Sequence, residues 1–133
     1  MPFEFPADAQ VRRTRRDRGA RAHLSGLSAE AAVLRAYADL GYHLVARRQR
    51  RPEAEIDLLL RQGSLLVAVE VKYSATHDQA GDHAGLAQLR RVALACEGCM
   101  IDMAPDGVRD MRLDLALVDA GGRVRLLEGI ALD

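Results

Sequence analysis

Lysine is nearly absent from this sequence of 133 residues, which contains 18 arginines and the single lysine Lys72. Tryptophan is absent, and with three tyrosines and two phenylalanines, aromatic stacking cannot dominate any binding to nucleic acid bases. Two cysteines are too few for a disulfide scaffold, and no apolar run approaches the roughly 18 residues that span a membrane. The N-terminus also lacks the apolar segment of a secretory signal, so we expect a cytoplasmic protein without a membrane partner.

Positive and negative charges balance overall but are unevenly distributed. Residues 1–51 contain 11 arginines and five acidic residues, whereas residues 52–133 contain eight basic and 14 acidic ones. A basic segment beside an acidic body is typical of a protein that attracts polyanions and carries a carboxylate site. We therefore divide the chain into a basic arm, residues 1–22, and a single domain, residues 23–133. The arm is either a solvated tail or a source of phosphate contacts, for which the candidates are Arg12, Arg13, Arg15 and Arg16.

The spacing of apolar residues predicts two helices and five strands. The first helix begins at Ser25 or Ser28 as N-cap and ends before Gly41. The second spans about residues 85–103 and is ended by Ala104-Pro105-Asp106-Gly107. The strands are expected at residues 42–48, 55–61, 65–72, 111–118 and 123–127. This order predicts an α/β fold in which a mixed sheet is flanked by helices.

The hairpin of the second and third strands concentrates charge on one face. With Gln62-Gly63 as a two-residue turn, Asp57 is expected opposite Ala68, and Glu55 opposite Glu70. Strand alternation gives one apolar face: Ile56, Leu58, Leu60, Leu65, Val67, Val69 and Val71. The other face is apolar near the turn and charged at the far end: Glu55, Asp57, Leu59, Leu66, Ala68, Glu70 and Lys72. Charges on a face of two otherwise buried strands indicate a functional site.

Asp57 and Glu70 are the candidate metal ligands on this face. As diagonal neighbours with Cβ atoms roughly 7 Å apart, they can reach one cation. Oxygen ligands without cysteine or histidine favour Mg²⁺ or Mn²⁺ over Zn²⁺. Lys72 lies two residues beyond Glu70 and is placed to orient a metal-bound water or to stabilise charge on a phosphate. An edge-strand ion pair is the alternative for Glu70 and Lys72, and an arginine partner is preferred for Glu55.

Three further charged residues are expected to face inward at least in part. Glu30 shares a helical stripe with Leu34 and Tyr37, so its carboxylate points partly inward and either pairs with an arginine or reaches the site. Arg112 and Asp114 share a strand face, where an internal ion pair is the simplest interpretation.

We expect a structural role, rather than a metal or redox role, for the Cys-x-x-Cys sequence formed by Cys96 and Cys99. With His77 and His83 it could be drawn as a zinc site. Both cysteines, however, lie well inside the second predicted helix, and Cys96 continues its apolar stripe. We therefore expect two buried small side chains.

These residues resemble known protein patterns. Asp57 followed by Glu70-Val71-Lys72 resembles the PD-(D/E)XK nuclease signature. From about Gly26 onward the chain resembles the YraN-like family of small bacterial proteins in six segments: Gly26-Leu27-Ser28-Ala29-Glu30, Gly41-Tyr42, Ala54-Glu55-Ile56-Asp57-Leu58, Val69-Glu70-Val71-Lys72, Gln88-Leu89-Arg90-Arg91 and Arg112-Leu113-Asp114. One departure is Tyr73-Ser74, which stands where a Thr-Arg or Ala-Arg pair is usual and removes one expected phosphate contact.

The resemblance implies a restriction-endonuclease-like αβββαβ core. It also implies a metal-dependent nuclease that acts on nucleic acid, with DNA favoured over RNA as the substrate. The alternative is a non-catalytic nucleic-acid-binding or scaffold protein that retains the nuclease-like fold. The oligomeric state is left open, a homodimer included. Two arginines of the second helix are further candidates for phosphate contact: Arg90 and Arg91.

The resemblance also implies roles for individual residues. Asp57, Glu70 and the Val71 carbonyl would hold Mg²⁺ or Mn²⁺, and Lys72 would position the attacking water. Residues of the two helices would complete the site, namely Glu30 as a further acidic ligand and Gln88 as a supporting residue.

Overall fold

Two helices and six strands make up the computed structural model, which describes residues 2–4, 25–76 and 85–132. The helices are α1 (Ser25–Asp39) and α2 (Leu86–Asp102), and a short 3-10 turn follows at Ala104–Asp106. The strands are β1 (Pro2–Glu4), β2 (His43–Arg50), β3 (Glu55–Gln62), β4 (Leu65–Tyr73), β5 (Asp110–Val118) and β6 (Val124–Leu127). Both helices and the five strands β2 to β6 confirm the elements predicted from the sequence.

Strand β1 lies within the basic arm, where no strand was predicted. It pairs antiparallel with β6, from Pro2↔Leu127 to Glu4↔Arg125. The predicted phosphate-contacting arginines of the arm lie outside the described residues: Arg12, Arg13, Arg15 and Arg16.

The six strands form one mixed sheet in the order β1-β6-β5-β4-β3-β2. Strands β4 and β5 are parallel, from Leu65↔Asp110 to Tyr73↔Val118, and the other neighbours are antiparallel. Since parallel neighbours need a crossover connection, α2 returns the chain over one face of the sheet between β4 and β5. This confirms the α/β fold with a mixed sheet and an αβββαβ core, and it leaves β2 as an edge strand.

Each face of the sheet is covered by one helix. The apolar side of α1 packs on one face, in a core of Ala29, Ala32, Val33, Ala36, Tyr37, Leu58, Leu60, Val67, Val69, Ala116, Val118, Val124 and Leu126. The other face is covered by α2, in a core of Ile56, Leu59, Leu66, Ala68, Leu89, Val92, Ala95, Cys96, Cys99, Val108 and Leu113. In the described part of the chain, neither helix is long and apolar enough to cross a membrane.

The two cysteines belong to the α2 core, as expected. Both are buried free thiols, and burial raises the pKa of Cys96 to about 12. His77 and His83, the other members of the zinc site that could be drawn, lie outside the described residues.

The register of the β3–β4 hairpin differs from the prediction. Gln62 pairs with Leu65, so the turn consists of Gly63 and Ser64 rather than Gln62 and Gly63. Gly63 has φ 59°, a left-handed conformation that glycine adopts without strain. The Gln62 side chain donates to the Leu40 carbonyl (3.0 Å) and helps to hold that residue at the strand end.

This shift corrects the predicted pairs but keeps the faces. Ala68 lies opposite Leu59, not Asp57, and Glu55 pairs with Arg50 of β2, not with Glu70. The pairing changes by an even number of positions, so the shift itself moves no side chain to the other face. Leu59 and Ala68 accordingly lie together in the α2 core.

Ile56 is the exception to the predicted faces. It was expected beside Leu58 and Leu60, but it packs in the α2 core. The register between β3 and β4 runs from Gln62↔Leu65 to Leu58↔Val69, and Asp57 lies one residue beyond it. There the Val71 N–H donates to Asp57 Oδ2 (2.8 Å), so a side chain takes the place of a backbone acceptor. Regular alternation ends at that point.

Candidate metal site

Glu70 is the centre of the candidate site and one of two buried charged residues in the described chain. It lies in β4, and only 2% of its surface is exposed to solvent. One carboxylate oxygen, Oε2, accepts a hydrogen bond from Gln88 Nε2 (2.9 Å) and lies 3.0 Å from Lys72 Nζ. The other oxygen, Oε1, is buried and has no hydrogen-bond partner among the residues that the structure describes. A buried carboxylate oxygen without a partner is costly unless a further donor or a cation satisfies it.

Asp57 places a second carboxylate beside Glu70. The two carboxyl groups interact electrostatically. Burial raises the pKa of Glu70 to about 7, and the Asp57 carboxylate pushes it in the same direction, while Lys72 opposes the shift. Asp57 and Glu70 thus place two carboxylates beside one lysine ammonium, that of Lys72, within the described residues. A carboxylate pair of this kind is a candidate for cation binding.

Lys72 and Gln88 both act on the same oxygen of Glu70. Lys72 follows Glu70 by two residues and so shares its face of β4, with a side chain that is 21% exposed. Gln88 lies in the first turn of α2 and reaches the sheet across the helix–sheet contact. Together they fix the orientation of Glu70 and leave its second oxygen available.

Glu30 reaches the neighbourhood of Asp57 from α1. Its side chain is 13% exposed and lies 3.0 Å from Arg48 Nη2 through Oε1. Burial raises the pKa of Glu30, Arg48 opposes this shift, and Asp57 adds to it. Glu30 therefore has the arginine partner that was one of its two alternatives, and it also interacts electrostatically with Asp57.

The fit to Mg²⁺ or Mn²⁺ depends on this donor set. No group of three histidine, cysteine, aspartate or glutamate side chains is arranged as a metal site within residues 2–4, 25–76 and 85–132. What is present is a pair of carboxylates with one buried oxygen unsatisfied, in Asp57 and Glu70. Oxygen donors suit a hard cation that keeps several waters and takes one or two protein carboxylates. The residues present fit such a cation.

The other predicted candidates take different positions. Arg90 donates to the Leu132 carbonyl through Nε and Nη2 (both 3.4 Å), and Arg91 is exposed on α2. Glu55 is exposed and forms an ion pair with Arg50 (3.3 Å), as preferred from the sequence. These residues are not brought into contact with Glu70.

The predicted ion pair of Arg112 and Asp114 is confirmed. Two parallel hydrogen bonds of 2.8 Å join the guanidinium to the carboxylate. The Tyr37 hydroxyl also donates to Asp114 Oδ2 (2.6 Å), which the sequence did not predict because the two residues are 77 positions apart.

Arg48 is the functional candidate that sequence reasoning missed. Among the described residues it is the one non-glycine residue with a positive φ, at 47°, and its side chain binds Glu30. A signal was present, because four of the five residues 47–51 are arginines. The left-handed conformation that aims Arg48 at Glu30 has no counterpart in the sequence pattern.

The fold and the carboxylate–lysine face together define the class: an α/β protein with a nuclease-like core and a candidate cation site on β3 and β4. A model of the uncharacterised protein family UPF0102 matches residues 29–118. The chain belongs to this family, as the resemblance to YraN-like proteins led us to expect.

Relatives with the same family name cover most of the chain. A UPF0102 protein of Dinoroseobacter shibae is 47% identical over 122 residues, or 90% of each chain. One from Ruegeria pomeroyi is 45% identical over 112 residues, covering 84% of this chain and 90% of the relative. One from Roseobacter denitrificans is 44% identical over 111 residues, covering 83% and 85%. These names state a family and no activity, so the argument for function rests on the site.

Proposed function

We propose that this protein is a Mg²⁺- or Mn²⁺-dependent nuclease that hydrolyses phosphodiester bonds of nucleic acid, with DNA favoured over RNA as the substrate. One observation carries the proposal: Glu70 is buried beside Asp57 with its Oε1 unsatisfied, while Lys72 and Gln88 occupy its other oxygen. A purely structural carboxylate is expected to have all its acceptor positions satisfied. A deficit of positive charge next to a lysine suits a site that takes up a cation and a phosphate.

Asp57 and Glu70 would hold the cation, and the Val71 carbonyl is a third oxygen donor of the same segment. When bound, such a cation would polarise the phosphate and lower the pKa of a bound water. Asp57 is held in place by the Val71 N–H, and Glu70 by Gln88 and Lys72. The carboxylates are therefore pre-positioned, which reduces the reorganisation that binding requires.

Lys72 is the residue proposed to manage water and charge. Its ammonium lies 3.0 Å from Glu70 Oε2 and remains partly exposed, so it faces both the carboxylate and the solvent side. An ammonium is a compact charge with three donors, whereas a guanidinium is a planar fork. Lys72 can thus orient a water and stabilise negative charge on a phosphate, and arginine would not replace it in this geometry.

The second candidate is a nucleic-acid-binding or scaffold protein without turnover. The specific observation in its favour is that Glu30 is paired with Arg48, so the described residues supply two close carboxylates and not three. In this alternative the acidic pair would be a remnant of a catalytic site.

A nicking assay separates the two candidates. Supercoiled plasmid, branched DNA and single-stranded DNA are incubated with the protein and Mg²⁺ or Mn²⁺, alongside Asp57→Asn and Lys72→Arg. We expect cleavage by the wild type and losses of roughly a hundredfold or more in both variants. Glu55→Gln is the matched control, since Glu55 is an exposed carboxylate of the same strand paired with Arg50.

Two results would contradict the nuclease. Undiminished cleavage by folded Lys72→Arg and Asp57→Asn would show that the activity comes from a contaminant or another site. Absence of Mn²⁺ binding in a calorimetric titration, with salt-dependent DNA binding intact, would favour the scaffold.

A further inference from the structure

The edge strand β2 presents a row of arginines next to the candidate site. It is the last strand of the sheet, and its exposed residues include Arg47, Arg48 and Arg50. An edge strand of this kind has one side open to a partner. The arginines therefore form a basic border, named here the β2 arginine edge and consisting of these three residues.

Arg48 joins this edge to the acidic pair. Its φ of 47° is a conformation that costs free energy for any residue with a Cβ atom. The guanidinium lies 3.0 Å from Glu30 Oε1, and Glu30 in turn interacts with Asp57. The β2 arginine edge thus adjoins the carboxylates from the side of α1.

Arg47 is the member of the β2 arginine edge that is most available to an outside partner. Within the described ranges of the chain it forms no hydrogen bond and no ion pair, although it is close enough to Glu30 to lower the pKa of that carboxyl. Two other arginines, by contrast, are engaged in ion pairs: Arg51 with Asp102 (2.9 Å) and Arg112 with Asp114 (2.8 Å). An exposed guanidinium beside carboxylates is suited to an anion brought by a partner.

We propose that the phosphate backbone of a nucleic acid crosses the β2 arginine edge, with Arg47 and Arg48 binding phosphates and Arg48 exchanging its ion pair with Glu30 for one of them. This inference rests on the proposed function for the identity of the partner. Glu30, Asp57 and Glu70 would repel a phosphate that approached them without compensation. The edge supplies that compensation, and the release of Glu30 places a third carboxylate beside the acidic pair as the substrate arrives.

The salt dependence of binding tests the contacts without any turnover. A fluorescein-labelled DNA duplex is titrated in EDTA at several salt concentrations, and binding is followed by anisotropy. Each lost phosphate contact should reduce the slope of log K against log salt by ~0.9. We expect a reduction of about that size for Arg47→Ser and again for Arg48→Gly, and about twice that for the double variant.

Arg48→Gly also guards against misfolding, because glycine adopts the positive φ without strain. Arg35→Ser is the control, since Arg35 is an exposed arginine on α1, and it should leave the slope unchanged. Equal slopes for wild type and both edge variants, at unchanged thermal unfolding midpoints, would overturn the inference. So would an absence of any duplex binding by the wild type at low salt.

The exchange of partners by Arg48 has its own test. Glu30→Gln should raise DNA affinity in EDTA, because Arg48 no longer has to leave a carboxylate. That gain should disappear in the Arg48→Gly background. Glu97→Gln, which removes an exposed acid from α2, should give a smaller gain that persists in that background. An identical gain from Glu30→Gln with and without Arg48 contradicts the exchange.

The outcomes distinguish this inference from the proposed function. A protein that binds DNA through the edge but does not cut with Mg²⁺ or Mn²⁺ supports the inference and refutes the nuclease. A protein that cuts, and whose Arg47→Ser and Arg48→Gly variants bind with the wild-type salt slope, supports the nuclease and refutes the inference.

Discussion

Two buried carboxylates on neighbouring strands are partnered in opposite ways. Asp114 of β5 is fully buried and receives hydrogen bonds from every side. Arg112 donates twice (2.8 Å each), the Tyr37 hydroxyl once (2.6 Å) and the Gly129 N–H once (3.0 Å). The charge and the acceptor positions of Asp114 are both satisfied within the chain.

Glu70 of β4 is almost as deeply buried, yet the hydrogen bonding and the charge of its carboxylate are only partly satisfied. In the described part of the chain its Oε1 has no hydrogen-bond partner, and the Asp57 carboxylate adds a second negative charge that acts on it. The comparison separates two uses of a buried acid. A satisfied one holds elements of the fold together, and an unsatisfied one marks the place where a charge from outside the chain belongs.

The largest expected effect comes from breaking the satisfied site. Asp114→Asn keeps the shape but removes the fully buried carboxylate partner of Arg112, which leaves Glu128 (3.3 Å) as its remaining acidic partner. Breaking a buried pair by removing one partner costs about 3–5 kcal/mol, so we expect a loss of that order in the free energy of unfolding. Urea denaturation followed by circular dichroism measures it. A loss below ~1 kcal/mol would mean that Asp114 is no more structural than a surface acid.

The free energy of unfolding should depend on pH through Glu70. The pKa of Glu70 is raised from 4.5 to about 7 by burial and by Asp57, against the opposing Lys72. The folded state therefore binds this proton more tightly than the unfolded state does. Its stabilising contribution is fully present below pH 4.5 and is lost as the pH rises through about 7. The loss is about 3 kcal/mol, measurable by urea unfolding in EDTA.

Glu70→Gln is the control for this pH dependence. The amide does not titrate, so the variant should be more stable than the wild type above pH 7 and show a flatter profile. Glu30, whose pKa is also raised, keeps a smaller dependence of the same sign in both proteins. Added Mg²⁺ should stabilise the wild type at high pH and leave Glu70→Gln unchanged. A variant with the same pH profile as the wild type would contradict the assignment.

The sequence predicted the elements and the site face because both depend on local patterns. Periodicity and the Gly41 stop located α1, and alternation placed Asp57, Glu70 and Lys72 on one face. The hairpin register was wrong because Gly63 serves as the first residue of the turn rather than the second, a choice that the sequence leaves open. Ile56 was misplaced because alternation ends where Asp57 accepts a backbone hydrogen bond.

The contacts that the sequence could not predict are the long-range ones. The strand face shared by Arg112 and Asp114 predicts their ion pair. The Tyr37 hydroxyl arrives from α1, however, and its partner depends on how the helix packs on the sheet. The left-handed φ of Arg48 is likewise a property of the folded edge strand.

A smaller effect is expected from weakening the satisfied site at one bond. Burial and the Asp114 carboxylate raise the pKa of Tyr37 well above its usual range, so its hydroxyl remains a donor. Tyr37→Phe removes that donor and leaves Asp114 with Arg112 and Gly129. We expect a loss of about 1–2 kcal/mol in the free energy of unfolding, with Mn²⁺ binding retained. A loss as large as that of Asp114→Asn would mean that Tyr37 contributes chiefly through core packing.

The smallest effect is expected at Glu55, the third carboxylate that the sequence placed on the charged face. Its side chain is 39% exposed and pairs with the largely exposed Arg50 at 3.3 Å. Exposed pairs of this kind contribute about 0–1 kcal/mol, so Glu55→Gln should unfold within that range of the wild type. Its Mn²⁺ affinity should match that of the wild type, in contrast to Glu70→Gln. A weaker Mn²⁺ affinity would instead make Glu55 part of the cation site and extend the charge imbalance beyond Asp57 and Glu70.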